Sequence, residues 1–189
     1  CGGPVPGQVL SRTVTPWNLP GEAMGGVGAP AGRSLHGTAQ VVTYALALVD
    51  KVDYFWGGKS LVLGWDDRWG EPAEVTAEGS DTTGTEQPYG LDCSGSWIGR
   101  SHASGGSYII GQGGGAAAQH ASCTDIAWDE VQPGDLLFYP EDEHVGIAAG
   151  RDWLGLLLVV HAQSGTNGVT ISHQTSFETA ARPVWYADK

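Results

Sequence analysis

Asp135-Leu136-Leu137-Phe138-Tyr139, then His144-Val145-Gly146-Ile147-Ala148-Ala149, then Leu156-Leu157-Leu158-Val159-Val160-His161-Ala162 are apolar runs in close succession. Turn formers separate them: Pro133-Gly134 ahead of the first, and Gly150 through Gly155 between the last two. Short β-branched or aromatic runs punctuated in this way read as strands. Val169–His173 and Val184–Ala187 continue the pattern, so the C-terminal part is predicted to be an antiparallel meander. Working back toward the N-terminus, the period changes. Val41, Val42, Ala45, Leu46, Leu48 and Val49 form a stripe at helical spacing, which predicts a helix over Thr38–Asp50 with Thr38 as its N-cap. A second helix is predicted from Ser94 to about Ala103, and one or two helical turns over Ala116–Ser122. Helices first and strands later make an α+β fold.

Composition narrows the function. The chain has 189 residues, 41% hydrophobic and 16% charged, which suits one domain with a sizeable core. A net charge of −12 with only nine Lys and Arg disfavours nucleic acid, anionic membranes and teichoic acids. An uncharged or mixed-charge peptide fits better. No stretch approaches the roughly 18 apolar residues of a membrane span.

Residues 1–35 are rich in Gly and Pro, and Pro4, Pro6, Pro16, Pro20 and Pro30 rule out a long helix there. They read as an extended arm or tether, with a folded domain over 36–189. Residue 1 is Cys rather than Met. Two readings stand: a lipid anchor at Cys1, or an excised piece of a longer protein. Residues 59–90 show no clear period, hold seven acidic side chains, and read as a long acidic insertion. Asp135 reads as a structural turn residue.

The cysteines are Cys1, Cys93 and Cys123. An odd count and these spacings suit neither a closed disulfide framework nor paired zinc ligands. Cys123 reads as a small buried residue. Cys93 lies in Leu91-Asp92-Cys93-Ser94-Gly95, directly before a predicted helix. A helix N-terminus favours the thiolate and offers free amides to an oxyanion. His144 and His161 stand in the second and third runs. With the hairpin centred on the loop from Gly150 to Gly155, they fall directly opposite each other on one face. A cysteine and two histidines are the material for a nucleophile, its base and an orienting group. The acidic run Glu141-Asp142-Glu143 beside His144 reads as a solvated loop. Its alternative roles are to raise the His144 pKa or to favour a cationic substrate end.

Five segments appear in order: Tyr54-Phe55-Trp56-Gly57-Gly58, Asp92-Cys93-Ser94-Gly95, Gln132-Pro133-Gly134-Asp135, His144-Val145-Gly146-Ile147 and Val160-His161-Ala162. Together they resemble the NlpC/P60 family of bacterial cell-wall cysteine peptidases over about residues 36–175. The resemblance implies a papain-like fold, with N-terminal helices on a central antiparallel sheet of about five or six strands. It also implies cleavage of amide bonds in peptidoglycan stem peptides, most commonly the D-γ-glutamyl–diamino acid bond, through an acyl-enzyme. Cys93 is then the nucleophile, His144 the general base and His161 its orienter. Tyr54, Trp56, Asp92 and Ser94 are candidate substrate-binding residues, Asp92 with an alternative as helix N-cap. No cofactor and no metal is implied. The chain is expected to be a monomer acting outside the cytoplasm, secreted or attached to the envelope. Rival readings are an N-acetylmuramoyl amidase or acyltransferase with the same machinery, a non-catalytic wall-binding module, and a weak metal site at the same trio.

Overall fold

The computed structural model describes residues 35–60, 62, 65–95, 114–166 and 168–184. All of these lie within one compact unit, Gly32–Lys189. The expected arm up to residue 34 lies outside the described residues. So does the expected second helix beyond Gly95.

Helix α1 spans Leu35–Leu48 and buries Val41, Val42, Ala45 and Leu48, the stripe read from the sequence. It starts three residues earlier than expected, so Thr38 is not its N-cap. Thr38 is instead buried inside the helix. A Cβ on Gly134 would stand only 3.1 Å from the Cβ of Thr38, so the Pro133-Gly134 turn packs closely on this first turn. A short helix α2 covers Ala116–His120.

The segment 59–90 carries more structure than its aperiodic sequence shows. Strands β1 (Pro72–Glu74) and β2 (Glu86–Pro88) pair antiparallel as a hairpin. Asp66, buried, ties the segment together: it accepts from the Ser60 hydroxyl at 2.8 Å and from Arg68 at 2.6 Å. Those bonds hold its carboxyl down at about 2. Arg68 lies over the Tyr89 ring, and Trp65 meets Trp69 edge-on.

A six-stranded antiparallel sheet forms the rest. Its strands are β3 (Cys123–Ile126), β4 (Leu136–Phe138), β5 (Val145–Arg151), β6 (Leu157–Gln163), β7 (Gly168–His173) and β8 (Thr179–Pro183). The spatial order is β3-β8-β4-β5-β6-β7. Thus β4 to β7 form the predicted meander, and the last strand folds back between β3 and β4. That strand precedes the expected Val184–Ala187 run, whose residues from 185 onward lie outside the described residues. The physical reason lies in β4. Leu136, Leu137 and Phe138 are fully buried. A strand buried on both faces needs both of its edges paired to satisfy its backbone. Burying such side chains stabilises by about 1.5–3 kcal/mol each.

The sheet separates two apolar clusters. One joins α1 to Leu136, Phe138, Val145, Ile147, Val160 and Ala162. The other joins Leu137, Ala148, Val159, Ala180 and Phe177 on the opposite face. Asp135, fully buried, enters β4 under a bidentate clasp from Arg182 of β8, at 3.0 and 2.8 Å, and is structural as expected.

The β5–β6 register differs from the sequence expectation. The turn is tighter and lies further along, since the Asp152 amide donates to the Leu156 carbonyl at 2.9 Å. Arg151 therefore pairs with Leu157. A β-bulge between Ala148 and Gly150 then shifts the pairing by one, so that Ile147 faces Val160. Continued from there, the register sets His161 across from Gly146, and His144 lies two residues before Gly146. The histidines are diagonal neighbours rather than direct partners. The displacement is even, so both still project from one face.

Candidate active site

Tyr54 and Cys93 are brought together by backbone pairing of two distant segments. Tyr54 forms a parallel bridge with Leu91. The Leu91 amide donates to the Asp53 carbonyl at 3.0 Å, and the Asp92 amide to that of Gly58 at 3.1 Å. Such close approach requires glycine: a Cβ at Gly90 would fall 1.9 Å from the Asp53 carbonyl oxygen. This is the physical content of the Trp56-Gly57-Gly58 and Tyr89-Gly90 motifs.

The chain turns at Cys93 and Ser94 and is helical at Gly95. Asp92, buried, accepts from the Gly95 amide at 2.6 Å and from the Ser94 hydroxyl at 2.9 Å. That is the capping geometry expected of it. Its second partner is one the sequence did not suggest. The Lys59 ammonium bonds both Asp92 oxygens at 2.6 Å and also the Ser94 hydroxyl. The place where a substrate amine was expected on Asp92 and Ser94 holds an ammonium from the chain itself.

Cys93 packs beside the α1 cluster, and the amide of Val145 donates toward its sulfur. The thiol is thus anchored to the backbone next to His144, at the start of β5. Burial pushes the thiol above its ordinary value and Asp92 adds to this, while the Val145 amide, Lys59 and the Ser94 amide pull the other way. The thiol is therefore not poised as a preformed thiolate, contrary to expectation.

His144 and His161 are joined directly, Nε2 of His144 to Nδ1 of His161 at 2.7 Å. The rings meet edge to face, packed against Tyr139 and Phe177. Burial lowers His144 to about 4; burial and the neighbouring His144 lower His161 to about 4. The acidic run does not raise His144, whose shift comes from burial. Both rings are neutral at pH 7, which is the state a general base needs. His161 in turn reaches Ser172, Nε2 to Oγ at 2.9 Å.

A cleft of about 270 Å³ opens at the end of the sheet where β5 begins and β6 ends. It is lined by Tyr54, Tyr139, Glu143, His144, Gln163 and Ser164. Of its lining, Tyr54 packs with the α1 cluster and His144 stands on the Phe177 face; Cys93, which also packs on the α1 cluster, is not among the lining residues. Tyr54 feels the charges of Cys93 and Asp92, and burial with those charges raises its phenol to about 12, so it remains a hydrogen-bond donor. Trp56 turns away, its indole donating to the Glu78 carbonyl at 2.9 Å. No described residue of 59–90 lines the cleft.

Lys59, Ser172, Tyr139 and Ser164 were not singled out from sequence as site residues, whereas Glu143 was weighed within the acidic run and Gln163 as an alternative orienter of the ring. Only Ser172 left a signal: a hydroxyl at an inward position of an otherwise β-branched strand. No group of three or more His, Cys, Asp or Glu side chains with metal-binding geometry occurs among the described residues.

No sequence-family description matches the chain, and no curated protein sequence matches it. Solved structures do. The peptidoglycan hydrolase RipB from Mycobacterium tuberculosis superimposes with a TM-score of 0.55 at 23% identity, over 82% of this chain and 72% of its own. The NlpC/p60 domain of the peptidoglycan hydrolase SagA superimposes with a TM-score of 0.51 at 23% identity, over 76% of this chain and 97% of its own. The chain therefore has the α+β fold of NlpC/P60 domains.

Proposed function

We propose that this chain is a cysteine peptidase that hydrolyses amide bonds in peptidoglycan stem peptides outside the cytoplasm. The observation that carries the reading is the neutral His144–His161 pair on the wall of a cleft, with the Cys93 thiol held by the amide of Val145, the residue next to His144. The similarity in fold to two peptidoglycan hydrolases supplies the substrate class.

In this reading His144 takes the Cys93 proton as the sulfur attacks the scissile carbonyl. A tetrahedral oxyanion forms and collapses to a thioester, and the proton passes from His144 to the leaving amine. Water, activated by the same histidine, then hydrolyses the thioester. Tyr54 serves as a donor to the substrate from the cleft wall. Lys59 neutralises Asp92, which otherwise opposes ionisation of the thiol. Glu143, exposed on the cleft wall, suits the cationic end of a diamino acid, so the D-γ-glutamyl–diamino acid bond is the preferred target. The chain acts as a monomer and uses no cofactor.

Mass spectrometry of purified peptidoglycan fragments, incubated with the wild type and with Cys93→Ala, tests this. Discrete stem cleavage by the wild type alone is the expected result and names the bond. Intact fragments with both proteins would refute the substrate class.

A further inference from the structure

A chain of hydrogen bonds runs inward from His144 and has a defined direction. Ser172 pairs with Val159 and Thr170 with His161, so Ser172 and His161 are diagonal neighbours on one face of β6 and β7. The Ser172 hydroxyl donates to the His173 carbonyl at 3.2 Å. A carbonyl oxygen only accepts, so the single hydroxyl proton is assigned to that contact, the 2.9 Å contact to His161 being open to either polarity by its geometry alone. Toward His161 the Ser172 oxygen therefore presents a lone pair. His161 must place its N–H at Nε2, 2.9 Å away. A neutral imidazole carries one N–H, so His161 Nδ1 is an acceptor. His144 must then donate from Nε2 across the 2.7 Å contact, which leaves the lone pair of neutral His144 on Nδ1.

We propose that Ser172 is a positioning residue which, through His161, fixes the tautomer of His144 whose Nδ1 is the base. The inference rests on the reading of Cys93 and His144 as nucleophile and base, and adds a fourth residue to it. The direction of the chain suits both states of the reaction. When the proton leaves the Cys93 sulfur for His144 Nδ1, the Nε2–H of the imidazolium stays donated to His161, and no ring has to turn. Under the opposite polarity the N–H of neutral His144 would sit on Nδ1, and its imidazolium would confront the Nδ1–H of His161. Burial enforces the choice, since His161 is only 1% exposed and bulk water hardly competes for its nitrogens. Where a carboxylate orients a catalytic imidazole, its charge also raises the pKa. A hydroxyl sets the tautomer without that charge, and the pair stays neutral.

The test uses the full chain, labelled with ¹⁵N-histidine, and reads each ring's tautomer by long-range ¹H–¹⁵N correlation at neutral pH. The expected result is an N–H at Nε2 in both His144 and His161. In Ser172→Ala the two rings become tautomeric mixtures. Alkylation of Cys93 by iodoacetamide, followed on its own peptide by mass spectrometry, slows about tenfold, and Ser172→Thr restores the rate to within about threefold. A wild-type His144 protonated at Nδ1 would overturn the proposal. So would unchanged tautomers and alkylation in Ser172→Ala. If that variant fails to fold, the wild-type tautomers decide. None of these readouts involves peptidoglycan, so failure to cleave stem peptides would remove the proposed substrate and leave this inference intact.

Discussion

Two parts of one sheet treat histidine in opposite ways. At the β5–β6 end, His144 and His161 have each other, Ser172 and aromatic rings as partners, and burial holds both near 4. Near the β3–β8 side, His120 is clamped between Asp142 at 2.6 Å and Asp125 at 2.8 Å, stacks on Phe138, and is raised. Burial alone would lower His120 too, but the two carboxylates outweigh it. The clamp is a structural brace. It pins Asp142, one of two consecutive residues with left-handed backbone in the turn that leads to Glu143 and His144, with φ of 56° at Glu141 and 57° at Asp142. Carboxylates hold the turn, and among the described residues none is bonded to the His144–His161 pair.

The cysteines repeat the contrast. Cys123 donates to the Gln119 carbonyl at 3.1 Å, and burial with Asp135 and Asp125 pushes its thiol up to about 12. Cys93 is also raised, but it has the Val145 amide and Lys59 to favour its anion. What separates the two thiols is the set of donors around Cys93, which Cys123 lacks in its own electrostatics.

The sharpest way to break the comparison is to remove the base. His144→Ala should lower both stem cleavage and Cys93 alkylation by about 10²–10⁴-fold, with the melting temperature little changed. Equal loss in His120→Ala, or none in His144→Ala, would erase the distinction. Next in size is the buried clasp of the braced side. Asp135→Ala removes the carboxylate from half-buried Arg182, which keeps the Glu130 carbonyl, and from the Gln132 amide, and should cost about 1.5–3 kcal/mol in denaturant unfolding. A loss under about 1 kcal/mol would show that Arg182 finds another partner.

Titration by NMR sharpens the contrast. His144 and His161 should remain neutral down to about pH 4, whereas His120 should protonate above the ordinary value of 6.5. The linkage follows in sign. The depressed pair contributes stability that is present above pH 6.5 and lost as pH falls toward 4, because the unfolded chain binds protons there first. His120 contributes stability that is full below pH 6.5 and lost as pH rises through its elevated value. Smallest is Asp142→Asn, which should lower the His120 pKa and cost about 1 kcal/mol by thermal unfolding. An unmoved His120 titration would assign the clamp to Asp125 alone.

Much of this was legible in the sequence. Strand-length apolar runs marked β4 to β7, and the helical stripe marked α1, because burial selects apolar residues at the period of each element. The two histidines announced themselves by lying in such runs. What the sequence hid depends on side chains acting at a distance. The hairpin tip was misplaced because Asp152 accepts from both the Leu154 and Leu156 amides at 2.9 Å and builds a tight turn that glycine positions alone do not reveal. The pairing of β8 with β3 was invisible because Thr179–Pro183 is only partly apolar. Strands β1 and β2 span three residues each, too short for any alternation to register. Lys59 was missed because a lysine in an acidic segment reads as surface, and its partner lies 33 positions away.

Ala149 illustrates a different kind of constraint. Its side chain does no chemistry, and the position should accept many residues. It is the extra residue of the bulge: Ala148 faces Val159 and Gly150 faces Leu158, with Ala149 unpaired between them. Deleting it would join those pairs into a regular ladder and leave Ile147 opposite Val160, so His144 and His161 would keep one face. Deleting one residue from Val145 to Ile147 instead would carry His144 to the other side of the sheet. The placement of the two histidines is thus encoded partly in how many residues separate His144 from the bulge, a quantity that comparing residue identities one column at a time does not see.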